Sequence, residues 1–261
     1  MGKIYTIANQ KGGVGKTTTT INLGAYLAHY DQKVLLVDID PQANATSSLG
    51  VEKNEIKGGT YQAILDEDNI QDYILHNPRL KVSLLPASPD LAGAEIELVN
   101  EVGRETLLKR KLANLKPDYD YILVDCPPSL GLLTLNGLVT SVDGILIPVQ
   151  CEYLAMEGLG QLISTINRVQ RVLAPDLAVR GVIMTMYDGR TNLAQDVVNE
   201  VKRFFPGKVF DSVIPRSIRL AEAPSYGVPI TLYAPQSEGA KAYLNLAHEI
   251  LLQDEGNVPE V

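Results

Sequence analysis

The 261-residue chain is 45% hydrophobic and 21% charged, a balance that excludes the disordered and collagen-like classes. Its formal net charge of -8 argues against a globally basic nucleic-acid binder, although a few clustered arginines on one face can still hold a phosphate backbone. The 2 cysteines, Cys126 and Cys151, form no C-x-x-C pair and read as buried free thiols of a reducing compartment.

Short β-branched runs alternate with helical patterns along the chain. A strand is expected over 3–9 ("KIYTIAN"), then a glycine-rich turn and a helix from about Thr17 ("TTTTINLGAYLAHY"). Strands are expected next at 33–39 and 81–87, a helix in "ETLLKRKLANL", and strands at 119–125 and 143–149. The helix "GLGQLISTINRVQRVL", a strand at 178–186, the helix "LAQDVVNEVKRFF", a short strand within 207–214 and a last helix, "AKAYLNLAHEILL", complete the pattern. This alternation predicts an α/β fold: one domain over 1–252, a mostly parallel twisted sheet flanked by helices on both faces, with an acidic, flexible tail at 253–261. Residues 34–37 and 122–124 are continuously apolar and suit central strands, so the residues just after Asn9, Ile39 and Val124 should share one rim, where such sheets bind ligands. No signal-peptide pattern and no apolar run of roughly 18 residues appears, which points to a cytoplasmic protein.

The stretch "NQKGGVGKTTTT" nearly fits the phosphate-loop pattern G-x-x-x-x-G-K-[ST], but Gln10 stands where its first glycine belongs and a second lysine, Lys11, precedes the glycines. Gly12, Gly13 and Gly15 let the backbone bend, and with Val14 they can turn N–H groups toward a nucleotide's phosphates. Lys16 can reach the β and γ phosphates, Thr17 can ligate Mg²⁺, and Thr18 opens the helix whose positive end completes the site. "YILVD" ends in Asp125, placed to hold Mg²⁺ through water. "LLVDIDPQ" carries Asp38 and Asp40 on one side of its strand; Asp40, beside Pro41 at the rim, can orient a water molecule and bind Mg²⁺ through water, whereas Asp38 reads as structural. The chemistry is phosphoryl transfer to water, with Lys16 and Asp40 as catalytic groups; a kinase would need an acceptor pocket that no motif supplies.

"KGGVGKTT" with Lys11 resembles the deviant Walker A motif of the ParA and MinD superfamily, and "DIDPQANAT" and "VDCPPSLGLLT" resemble its other nucleotide motifs. "PVQCEYLAMEGL", "TMYDGRTNL" and "VIPRSIRLAEAPSYGVPI" are similar to the chromosome-partition branch, ParA or Soj, over roughly residues 2–250. The resemblance implies a Mg²⁺-dependent ATPase that forms a homodimer when ATP-bound, in which Lys11 crosses to the partner's phosphates as a third catalytic group. It further implies that the ATP-bound dimer binds double-stranded DNA nonspecifically, associates with the nucleoid, and is released when a ParB-type centromere-binding protein stimulates hydrolysis. Arg190 and Arg219 match the family's DNA-contacting arginines, with Arg216, Lys202 and Arg203 as secondary candidates, and Pro215 matches a residue beside the base. The segments after Asp90 and Glu101 are candidates for the partner's contact surface.

Two alternatives share the loop. A MinD-like membrane-associated regulator would need a basic amphipathic C-terminal helix, yet the last helix here runs into "QDEGNVPEV". An iron-sulfur ATPase would need the 2 cysteines of each chain paired across a dimer, with Cys126 competing for the space beside Asp125.

Overall fold

The computed structural model describes residues 2–65, 69–153 and 155–255. Its strands are β1 (Lys3–Ile7), β2 (Val34–Asp38), β3 (Leu75–Asn77), β4 (Val82–Leu85), β5 (Tyr121–Asp125), β6 (Gly144–Gln150) and β7 (Val179–Thr185). They form one 7-stranded sheet in the order β3-β4-β2-β5-β1-β6-β7, parallel throughout except for the edge pair β3–β4. The α/β class expected from the sequence is therefore the observed one.

Eleven α-helices are described: α1 (Lys16–His29), α2 (Asn44–Ser48), α3 (Thr60–Leu65), α4 (Leu91–Glu97), α5 (Leu107–Ala113), α6 (Leu132–Thr140), α7 (Ala155–Val172), α8 (Asn192–Phe204), α9 (Ile218–Glu222), α10 (Ile230–Tyr233) and α11 (Glu238–Glu255). Strand residues alternate between the two faces. Tyr5, Ile7, Leu36 and Leu123 pack with α1 and α11, while Ile4, Leu35, Ile122 and Val124 pack with α5, α6, α7 and α8. Every residue of β2 and β5 is buried, as their unbroken apolar runs require. Helix α1 approaches β2 closely: a Cβ at Gly24 would lie 2.6 Å from Leu36 Cδ2. Both cysteines are buried free thiols.

Three expectations need correction. The segment 207–214 forms no strand, only isolated bridges from Val209 to Val182 and from Pro215 to Tyr187. Phe210 and Ile214 donate their N–H groups to the Val182 and Met184 carbonyls of β7 at 3.0 and 2.9 Å, but between them Asp211 and Ser212 turn theirs to the Glu249 carboxylate on α11 at 2.8 and 3.0 Å, so the pairing does not continue. Strand β3 was not anticipated, because it is 3 residues long and mostly exposed at the sheet edge. Finally, α11 runs to Glu255, and Asp254 accepts hydrogen bonds from Tyr5 at 2.8 Å, Tyr121 at 3.1 Å and Arg180 at 2.9 Å, so 253–255 belong to the folded domain. The rest of the expected tail, 256–261, lies outside the described residues.

Candidate nucleotide-binding site

The chain leaves β1 into the glycine-rich loop, which is tied down from outside. Asn9 donates through Nδ2 to the Pro148 carbonyl at 2.7 Å and accepts the Lys11 N–H at 3.0 Å. Thr185, ending β7, donates its hydroxyl to the Val14 carbonyl at 2.8 Å. Gly13 (φ +74°) and Gly15 (φ +90°) occupy the left-handed region, where a side chain would be strained. Gly15 precedes α1, whose first bond runs from the Thr19 N–H to the Gly15 carbonyl, so the N–H groups of the opening turn are free to meet an anion.

Lys16 is buried, and its Nζ donates across the loop to the Lys11 carbonyl at 3.1 Å. Burial lowers its pKa, opposed by the charges of Asp125, Cys126 and Asp40. Lys11 is a half-buried residue whose Cβ lies near Gly158 of α7, and its ammonium makes no hydrogen bond or ion pair among the described residues.

Two acids end adjacent strands, Asp38 standing opposite Asp125 in the β2–β5 register. Asp125 is fully buried and accepts the Thr17 hydroxyl at 2.7 Å and the Thr20 hydroxyl at 3.1 Å. Burial first, and then the charge of Asp38, pushes its carboxyl up to about 8 against the pull of Thr17, Thr20 and Lys16. Asp38 is likewise raised by burial, to about 6, but its oxygens are occupied by the Asp40 N–H at 3.1 Å, the Thr46 N–H at 2.9 Å and the Thr46 hydroxyl at 2.7 Å. It is thus a structural carboxylate that fixes the turn carrying Asp40. The Asp40 carboxylate, also buried, accepts only the Gln42 N–H among the described residues, at 2.9 Å, and its charge acts on Lys16.

These hydroxyl and carboxylate oxygens suit a hard cation such as Mg²⁺. No group of 3 or more His, Cys, Asp or Glu side chains among the described residues could hold an ion unaided. That donor set could suit a magnesium ion that takes most of its ligands from phosphate and water, with Thr17, Asp125 and Asp40 as the side chains that would hold it.

Beside the loop lies a mainly apolar cavity of about 320 Å³, bounded by Gly15, Thr18, Met186, Pro215, Leu220 and Tyr243. Tyr243, fully buried on α11, pairs its hydroxyl with that of Thr19 on α1 at 3.1 Å. Phosphate loop, strand-end acids and a cavity of this size and polarity share one rim, the arrangement of a nucleotide site.

A family model described as "AAA domain" matches residues 2–179. Soj, the sporulation initiation inhibitor protein of Bacillus subtilis, is 55% identical over 250 residues, spanning 96% of this chain and 98% of that protein. The chromosome partitioning protein ParA of Myxococcus xanthus is 50% identical over 260 residues, spanning 99% and 91%. The chain belongs to the ParA/Soj family of partition ATPases. Crystal structures of cobyrinic acid a,c-diamide synthase from Mycobacterium smegmatis, one with bound ADP and magnesium and one with a bound ATP analogue and magnesium, share 38% identity with this ParA/Soj member. They superpose on it with a TM-score of 0.86, covering 100% of this chain and 99 to 100% of theirs.

The arginines singled out from the ParA/Soj motifs lie on segments C-terminal to β7, and of the three Arg216 borders the cavity beside the phosphate loop. Arg190 is exposed in the turn before α8, Arg216 lines the cavity, and Arg219 is exposed on α9. Each is paired with a carboxylate: Arg190 with Asp188 at 2.7 Å, Arg216 with Glu152 at 2.8 Å and Arg219 with Glu222 at 3.0 Å. Lys202 is 3.9 Å from Asp211. Met186, Leu220 and Tyr243 at the cavity were missed by sequence reasoning. They come from β7's end, α9 and α11, with no local motif to announce them; a left-handed Met186 (φ +52°) is a backbone feature that sequence does not display.

Proposed function

We propose that the protein is an ATP-dependent DNA-segregation ATPase whose ATP-bound homodimer holds DNA nonspecifically and lets go when a ParB-type partner stimulates hydrolysis. The observation that carries this reading is the shared rim: a buried Lys16 in its glycine loop, Asp40 and Asp125 at strand ends, and the cavity beside Gly15 and Pro215. Mg²⁺, when bound, supplies neutralisation of charge on the phosphate oxygens.

The chain's own groups do the rest. Lys16 exchanges the Lys11 carbonyl for a phosphate oxygen, which removes a tie within the loop as nucleotide enters. Thr17, whose hydroxyl is donated to Asp125, and Asp125, once its proton has passed to solvent, would be the side chains that hold the ion. Loop N–H groups from Gly12 to Thr18 cradle the phosphates, and the adenine base occupies the cavity against Pro215. Asp40, its backbone held by Asp38, accepts a hydrogen bond from the attacking water and aligns it with the γ phosphorus; the products are ADP and phosphate. Lys11, which has no carboxylate partner in its own chain's described residues, serves the second subunit, where a long cationic side chain neutralises developing charge in trans.

Arg190, Arg219 and Arg216 supply the DNA contacts, doubled by dimerisation. A membrane-anchored alternative finds less support: Tyr243, Leu246, Ile250 and Leu251 of α11 are buried, leaving that face unavailable to a bilayer. No helix among the described residues is long and apolar enough to cross a membrane. The test is anisotropy of labelled DNA with ATP, ADP and no nucleotide across a salt series. Tight binding with ATP alone is expected, and equal binding in all states would refute the switch.

A further inference from the structure

We infer that Asp188 sets how strongly Arg190 takes a phosphate, because its carboxylate already occupies the guanidinium fork that the phosphate would need. This rests on the DNA-binding reading above. Arg190 donates Nε to Asp188 Oδ1 at 2.8 Å and Nη2 to Oδ2 at 2.7 Å, a two-bond pairing of the geometry that arginine offers a phosphate. The Arg190 N–H also goes to Asp188 Oδ1, at 3.1 Å, and the Asp188 carbonyl accepts the Thr191 N–H and hydroxyl at 3.1 and 3.0 Å. The acid therefore both builds the turn and holds the fork.

The other two candidates are held less completely. Arg216 gives one bond to Glu152 at 2.8 Å, and Arg219 gives one to Glu222 at 3.0 Å with the Tyr233 hydroxyl beside it, itself bonded to Glu222 at 2.9 Å, so neither guanidinium has both arms of its fork on one carboxylate. Asp188 also lies within the field of Arg216, linked to its turn through the Arg216 N–H bond to the Tyr187 carbonyl at 3.0 Å. The Arg190 side chain is 89% exposed, so a phosphate can reach it, but binding must exchange one fork for another and bring two anions together. Asp188 thus weakens each DNA contact and makes it readily reversible. In a dimer the effect applies twice, favouring a grip that depends on both chains being present.

Asp188→Asn is the direct test, since its amide oxygen can still accept the Arg190 N–H and keep the turn; Asp188→Ser, whose hydroxyl can do the same, is the second variant. DNA binding by the full chain loaded with a non-hydrolysable ATP analogue and Mg²⁺ is measured for these, for Arg190→Ala, for Asp188→Asn with Arg190→Ala, and for Asp196→Asn. Asp196 is an exposed acid on α8, in no ion pair among the described residues, and controls for loss of one negative charge. The expected result is tighter binding by roughly two- to fivefold per chain for either Asp188 variant, with a slope of log K against log salt steeper by about one per chain. The gain should vanish when Arg190 is absent and be missing from Asp196→Asn. A wild-type chain that binds DNA while both Asp188 variants leave affinity unmoved or reduced overturns this inference alone, as does an equal gain in the Arg190→Ala background or in Asp196→Asn. No DNA binding by any variant overturns the DNA reading and this inference with it.

Discussion

Loading the site with Mg²⁺ and nucleotide should expel a proton from Asp125. In the empty protein, burial and the neighbouring Asp38 charge raise this carboxyl to about 8, so at pH 7 it mostly keeps its proton. A cation held by Thr17 and Asp125 requires the ionised form, so release should approach one proton per site at pH 7 and fall well below that at pH 9. Titration calorimetry with Mg²⁺ and ADP in two buffers of different ionisation enthalpy measures this directly, and Asp125→Asn supplies the blank for protons released by the nucleotide itself. Release that is unchanged in Asp125→Asn, or equal at pH 7 and pH 9, would refute the proton's assignment to Asp125. The same shift has a stability consequence. A carboxyl raised in the folded state contributes stability that is complete below its ordinary pKa and is lost as pH rises through about 8. The empty protein should therefore lose up to about 1.4 kcal/mol per pH unit on the way to pH 8, with Asp38 adding to the lower part of that window as pH passes about 6. Asp125→Asn should flatten the profile.

Single contacts carry the other expectations. Lys16→Ala removes the one buried ammonium beside the two acids, so binding of a fluorescent ATP analogue should be lost while the far-UV spectrum is kept. Asp40→Ala should keep ATP binding but slow turnover by about a hundredfold or more and accumulate a dimer on size-exclusion chromatography, as expected for removal of a water-orienting group. Gly24→Ala drives a methyl to 2.6 Å from the buried Leu36 side chain. Its overpacking cost of about 1–3 kcal/mol should exceed the helix-propensity gain of about 1 kcal/mol, giving a lower Tm by calorimetry.

What the sequence displayed was chemistry written locally in the chain. Gly13 and Gly15 were legible because only glycine sits easily at their φ values, and Asp125 because an unbroken apolar run fixes where β5 ends. Asp38 and Asp40 were separable in position, since one ends β2 and the other lies beyond it. What stayed hidden depends on partners distant in sequence. The expected strand over 207–214 is interrupted at Asp211 and Ser212, whose N–H groups go to Glu249, some 37 to 38 residues away, a partner no periodicity reveals. Likewise, Asp254 looked like part of an acidic tail until Tyr5, Tyr121 and Arg180 were found around it. The cavity beside the loop was visible only at Pro215, because its other walls come from separate elements. Arginine candidates could be named from motifs, but the carboxylate that engages each of them could not.

The central claim is that each nucleotide site is completed by Lys11 of the other chain. Mixing Lys11→Ala chains with Asp40→Ala chains tests it most directly, with DNA and the ParB-type partner present and each variant inactive alone. A mixed dimer would then hold one intact site, built from the Lys16 and Asp40 of the first chain and the Lys11 of the second. Random pairing of equal amounts predicts recovery of about a quarter of wild-type ATPase activity. If Lys11 serves its own nucleotide, every site in the mixture carries a defect, and no recovery would contradict the account.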